Sequence, residues 1–225
     1  MRAFFVTSIV TVAFAALLDW SLAHKKISEP SQTTSVSAMA KANQIRCNAL
    51  ALFWGFAEAT VFIIVPDVLV SWVAIHSYKR AFIASLWVLC GALIGGCLLW
   101  FVGKTDPEPA RALFVSLPAI SAAMIADVRS QLDDIGLMAV IIGPLSGTPY
   151  KIYAVEAANL GFGLANFLLI SIPARLLRFL LVGVVSGAIG QFVQRKSGLR
   201  VARILLAVFW VGLYAWYFSV MADSK

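Results

Sequence analysis

The chain has 225 residues, of which 61% are apolar and only 13% charged, with a mean hydropathy of +0.88. That balance excludes an ordinary water-solvated domain, in which roughly a quarter of the residues are charged. A net charge of +7 would suit nucleic acid in a soluble protein; in a membrane protein the same excess marks the cytoplasmic loops, so no nucleic-acid partner is expected.

Residues 3–18 carry no charge and form a marginal span. With Arg2 before them and Ser21-Leu22-Ala23 after them, residues 1–24 read as an N-terminal membrane helix or a signal-like segment with a small-x-small cleavage site. Lys25 and Lys26 follow the apolar run, an asymmetry that favours a retained helix with its N-terminus outside. Residues 25–45 read as a linker, because 29–40 is Ser/Thr-rich and aperiodic; Met39 offers an alternative start.

Residues 49–76 form a long apolar run that contains Glu58 and is broken at Pro66-Asp67. It is too long for one straight helix and too short for two crossings, which predicts a hairpin that enters and leaves the membrane on one side, with Pro66 at its tip. Residues 81–102 predict one full span. In 107–134, Ile120, Met124, Ile125, Val128 and Leu132 recur at near-helical spacing opposite Asp127, Arg129 and Asp133, which predicts an amphipathic piece along the membrane surface. In 135–163 the run Gly143-Pro144-Leu145-Ser146-Gly147-Thr148-Pro149-Tyr150-Lys151 interrupts apolar flanks. It predicts a second re-entrant hairpin with Pro144, Pro149 and Tyr150 at its tip. Residues 204–221 are uncharged and predict a transmembrane helix within a C-terminal segment, 195–225. The expected fold is all-α: a polytopic helical membrane protein with two opposed re-entrant hairpins, its membrane domain covering 46–194.

Basic residues set the orientation. Lys25, Lys26, Lys41, Arg46, Lys79, Arg80, Arg195, Lys196, Arg200 and Arg203 fall on one side, and Arg2, Lys104, Arg111, Arg129 and Lys225 on the other. The first hairpin then opens to the cytoplasm, the second to the opposite face, and their tips point at each other. The remaining three of the eighteen bases, Lys151, Arg175 and Arg178, fall within the apolar zone, as do Glu58, Asp67 and Glu156. Each charge there costs about 2.5–3.5 kcal/mol on insertion scales, so it must pair or face water. One reading makes them a structural cluster, with Glu58 or Asp67 bonded to Arg175 or Arg178. The other makes the bases donors for a phosphate headgroup, helped by backbone N–H groups at the broken helix ends, with the carboxylates exchanging protons.

Several of these runs together carry a resemblance: Phe56-Ala57-Glu58 through Ile64-Val65-Pro66-Asp67, Gly91-Ala92-Leu93-Ile94-Gly95-Gly96, Thr148-Pro149-Tyr150-Lys151 followed by Asn159-Leu160-Gly161, and Ala174-Arg175-Leu176-Leu177-Arg178-Phe179. In order and spacing, over about residues 46–194, they resemble the DedA family (VTT or SNARE-associated domain), most nearly its small subgroup with a Pro-Tyr-Lys second hairpin. The resemblance implies opposed re-entrant hairpins and transbilayer movement of lipids such as polyprenyl phosphate or phospholipids, often linked to the proton gradient. It makes Glu58 and Asp67 the proton-coupling candidates, and Lys151, Arg175 and Arg178 the substrate-binding candidates. The pattern departs at the second hairpin, where Lys151 stands as the only base in place of two arginines flanking the proline.

Other motifs point to packing. Gly91-x-x-x-Gly95 and Gly183-x-x-x-Gly187 are close-approach sites between helices. Cys47, Cys90 and Cys97 lack metal or disulfide spacing, so no metal and no cofactor are expected. Ser146 lacks a nucleophile motif, and neither His24 nor His76 falls at its depth, so the chain is not expected to be an enzyme. Transport of a phosphate-bearing lipid or small anion across a bacterial inner membrane is the first function expected, with membrane lipids as partners and a homo-oligomer left open. A non-transporting membrane organiser whose buried charges only staple helices is the alternative, and a lipid-headgroup enzyme the third.

Overall fold

The computed structural model describes residues 33–117, 120–145 and 147–223; the reading of residues 1–24 lies outside them. All regular structure among the described residues is helical: α1 (Thr33–Thr60), α2 (Asp67–Ala74), α3 (Tyr78–Thr105), α4 (Glu108–Ser116), α5 (Ala122–Ile135), a 3₁₀ turn (Gly136–Met138), α6 (Ala139–Leu145), α7 (Tyr150–Asn159) and α8 (Leu164–Asp223). Two of them, α3 and the Leu164–Tyr217 part of α8, are long and apolar enough to cross a membrane. The chain divides into two compact units, Met1–Ala49 and Leu50–Lys225. The first contributes the start of α1, where Gln44 Nε2 donates to Asn48 Oδ1 one turn on at 2.9 Å. The expected linker is helical from Thr33 onward. No glycine or proline interrupts 31–54, and Ala38, Met39, Ala40, Lys41 and Ala42 are strong helix formers that outweigh the missing apolar period.

In the second unit α3 is the central post, and its glycines set the spacing. A Cβ on Gly91 would run into the backbone of Leu52, and one on Gly95 would lie 2.9 Å from the Phe56 carbonyl oxygen, so α1 meets α3 backbone to backbone. On the other flank Gly103 faces the backbone of Val155, and Gly96 accommodates the ring of Tyr150. α7 therefore packs into α3 with Tyr150 through Ala158 all buried. The amphipathic reading of 107–134 holds: Ile125, Val128 and Leu132 are buried while Asp127, Arg129 and Asp133 are exposed.

Both interrupted runs break at their prolines. After α1 ends at Thr60 the chain is non-helical until Pro66 starts α2, a short helix whose eight residues are all buried. α6 contains Pro144, and α7 begins immediately after Pro149.

The C-terminal part turns back on itself. Gly198 has φ 86° and ψ 163°, which only glycine adopts without strain, and contacts on either side run in opposite order. Going out, Gly183 lies against Val70 and Gly190 against Ile75. Coming back, Arg203 Nη2 meets His76 Nε2 at 2.8 Å, Trp210 Nε1 donates to Ser71 Oγ at 2.9 Å, and Tyr214 Oη accepts from Val65 N at 2.9 Å. Both arms of α8 thus line α2, and His76 is bonded between Arg203 and the Trp72 carbonyl oxygen.

The glycine contacts give a measurable contrast. Gly91→Ala must force α1 and α3 apart and should lower stability by about 1–3 kcal/mol, as overpacking does. Gly212→Ala enters open space and should leave stability unchanged or raise it by up to about 1 kcal/mol through helix propensity. Thermal unfolding of the two variants in the same detergent distinguishes these outcomes.

Candidate functional site

Two chain breaks and one long helix build the site. Glu58 stands on the last turn of α1, Asp67 opens α2, Tyr150 and Lys151 open α7, and Arg175 and Arg178 lie one turn apart on the outgoing arm of α8. Arg175 Nη1 donates to Glu58 Oε2 at 2.7 Å and Nη2 to Oε1 at 3.4 Å. Arg178 Nε and Nη2 both donate to Asp67 Oδ2, at 2.9 and 2.6 Å. Lys151 is only 3% exposed, and its Nζ donates to the carbonyl oxygen of Phe62 at 2.9 Å. That bond ties the second break directly to the first.

Tyr150 fixes Arg175 from the other side. The guanidinium carbon sits 3.9 Å from the Tyr150 ring centroid, within cation–π range. The ring stacks on Phe167 at 5.5 Å, and its hydroxyl donates to Ser171 Oγ at 3.0 Å.

These side chains surround one cavity of about 420 Å³. Glu58, Asp67, Pro149, Tyr150, Lys151, Arg175 and Arg178 all line it; Pro66 starts α2 outside the lining and Pro144 lies within α6. Trp210, Leu213, Tyr214 and Tyr217 of the returning arm complete the wall. The chain matches no family model, no curated protein and no solved structure. What the cavity does must therefore be read from its own chemistry.

The residues bring three cations and two anions to the wall, a formal charge of +1 among the described lining residues. Two cations are matched by carboxylates in contact, and Lys151 makes its direct contact among the described residues with a carbonyl dipole. Asp67 Oδ1 and Arg175 Nε are buried without a hydrogen-bond partner among the described residues, a condition that native structures reserve for few groups. Among the described residues no cluster of His, Cys, Asp and Glu could hold a metal ion.

Glu156 belongs elsewhere. Although it was grouped with the other acids of the apolar zone, its two oxygens accept from Arg111 Nε and Nη2 at 2.7 and 2.6 Å, and Arg111 Nη1 also reaches Glu108. The Glu156 carboxylate, against the cost of partial burial, raises the Arg111 pKa above the ordinary arginine range. Charge counting places Arg111 on the side away from the cytoplasm without naming its partner; a carboxylate in the buried stretch Tyr150–Ala158 needs a cation, and Arg111 supplies it. The returning arm matches the helix expected over 204–221, but the sequence reading did not place its side chains at the cavity. Its signal was the polar-tipped aromatic stripe Trp210, Tyr214 and Tyr217, spaced to share one helix face inside an otherwise apolar span.

Removing one partner of a buried pair leaves the other charge stranded. Arg175→Gln should destabilise the protein by about 3–5 kcal/mol, and adding Glu58→Gln should recover most of that loss. A double-mutant cycle on thermal unfolding reads the coupling directly; additive losses would mean that the two side chains do not compensate each other.

Proposed function

We propose that the protein moves a phosphate-bearing lipid, or another small anion, across a bacterial inner membrane through this cavity, as a multi-pass protein whose two broken segments act as opposed re-entrant hairpins. The observation that carries the reading is Lys151: a cation 3% exposed, at the second break, bonded to the Phe62 carbonyl of the first and paired with no carboxylate among the described residues. A protein gains no stability from burying such a charge. An anion arriving in the cavity would supply the missing counter-charge.

The helix ends support the same reading. Asp67 and Tyr150 are the first residues of α2 and α7, and both line the cavity, so two helix N-termini open beside it. The apolar exterior fits a lipid surround: Leu169, Val184, Ile189 and Phe192 on one arm of α8, and Ile204, Val208 and Trp216 on the other, are all exposed. The likeness of residues 46–194 to the DedA family points to the same class of cargo. The organiser reading accounts for the two carboxylate–arginine pairs and leaves Lys151 unexplained.

In vesicles, Lys151→Gln should lower transport of labelled phospholipid or polyprenyl phosphate at least about tenfold, because the charge that attracts the headgroup is gone, whereas Lys151→Arg should retain most of it. If Lys151→Gln and Arg178→Gln, each folded and inserted, move both lipids at the unmodified rate, the cavity is not an anion path and the organiser reading stands.

A further inference from the structure

We propose that the cavity accepts one negative charge at a time, so that a phosphodiester lipid enters as it is while a phosphomonoester lipid enters only as its singly protonated form. This rests on the transport reading and specifies which charge state of the headgroup the site takes.

Glu58 faces Arg175 at 2.7 Å and Asp67 faces Arg178 at 2.6 Å, so each carboxylate is matched within its own ion pair. Both pairs resist exchange: Arg175 is held between Glu58 and the Tyr150 ring, and Arg178 spends two donors on a single oxygen of Asp67. Lys151 is the remainder. Among the described residues one of its three N–H donors is used, on the Phe62 carbonyl oxygen, which leaves two for an oxygen of the cargo. One bound negative charge brings the lining to neutrality. A second would lie uncompensated in a mostly apolar cavity, where neutral donors can orient an oxygen but cannot balance its charge.

A phosphomonoester dianion, RO–PO₃²⁻, takes one proton from the water it leaves and becomes RO–PO₃H⁻; that proton is released to the water on the far side. One proton accompanies each monoester, and none accompanies a diester. The proton rides on the cargo, and neither carboxylate needs to leave its arginine. A monoester should then collect in the leaflet facing the more alkaline solution, where deprotonation withdraws the carried form, and a singly charged diester should show no such bias.

The test uses the full-length protein in vesicles with three probes: labelled phosphatidylglycerol, labelled polyprenyl phosphate and radiolabelled inorganic phosphate. With a second phosphate pKa of about 6, the monoanion falls from about half of the polyprenyl phosphate at about pH 6 to about 1% at about pH 8. At low lipid density its transport should fall about 50-fold over that range while phosphatidylglycerol movement stays within about twofold. Glu58→Gln, which raises the lining charge by one, should flatten the polyprenyl phosphate profile; if that variant does not fold, the two wild-type profiles still decide. Polyprenyl phosphate moving equally fast at both pH values would overturn the proposal and leave transport standing. Movement of inorganic phosphate without either lipid would remove the lipid as cargo, and movement of none of the three would remove the transport reading and this inference with it.

Discussion

Every ionisable group placed deep in this chain must find a counter-charge or a dipole, and the tertiary structure is arranged around that demand. Arg175 and Arg178 project from one turn of α8 and reach carboxylates on two different helices, α1 and α2. The break between those helices is therefore clamped at both edges by a single rigid element. Lys151 reaches the carbonyl of Phe62 inside the same break. Backbone oxygens left unpaired where a helix stops are the strongest neutral acceptors at hand, so the interruption that weakens the helix also solvates the cation.

The close approach of the helices makes those reaches short. Gly91 and Gly95 let α1 settle on α3, and Gly96 and Gly103 let α7 settle on its other flank. Tyr150 fills the space that Gly96 leaves and offers its ring to Arg175. A Cβ at any of these glycines would collide with the neighbouring helix or ring, pushing apart elements that carry the carboxylates, the tyrosine and the lysine. The small-residue motifs thus govern the electrostatics at a distance, by fixing the spacing of helices that carry charge.

Much of this was legible in the sequence because it follows from local rules. Proline and glycine located both breaks, the uncharged 81–102 run located α3, and the period of Ile125, Val128 and Leu132 separated the two faces of α5. The cost of buried charge singled out Glu58, Asp67, Glu156, Lys151, Arg175 and Arg178; all but Glu156, which pairs with Arg111, meet in one cavity. Pairing was harder to read, since Glu58 with Arg175 and Asp67 with Arg178 is a choice made by helix packing, and the Glu156–Arg111 pair crosses from a buried helix to a partly exposed one. The helical start of α1 was hidden because its helix formers, alanines with Met39 and Lys41 among Ser, Thr and Asn, leave no apolar period to detect. The reversal at Gly198 was hidden too, since a lone glycine among Lys196, Ser197 and Leu199 does not announce a left-handed turn.

That reversal matters for how the cavity is closed. The returning arm adds Trp210, Leu213, Tyr214 and Tyr217 to the wall, and it is attached to the α2 region through polar contacts at Val65, Ser71 and His76. The two ion pairs lie on the outgoing arm and the aromatic wall on the returning one, so the charges that hold the frame and the surface that meets an apolar cargo are carried by separate parts of the same helix pair. Gly198, at φ 86°, joins the two arms, and the wall is held to the frame by those polar contacts rather than by the ion pairs. On the transport reading, this division is what a carrier of amphipathic molecules needs. The charged half of the cargo meets a fixed set of donors, and the apolar half meets a surface whose contacts are few, directional and able to part without stranding a buried charge.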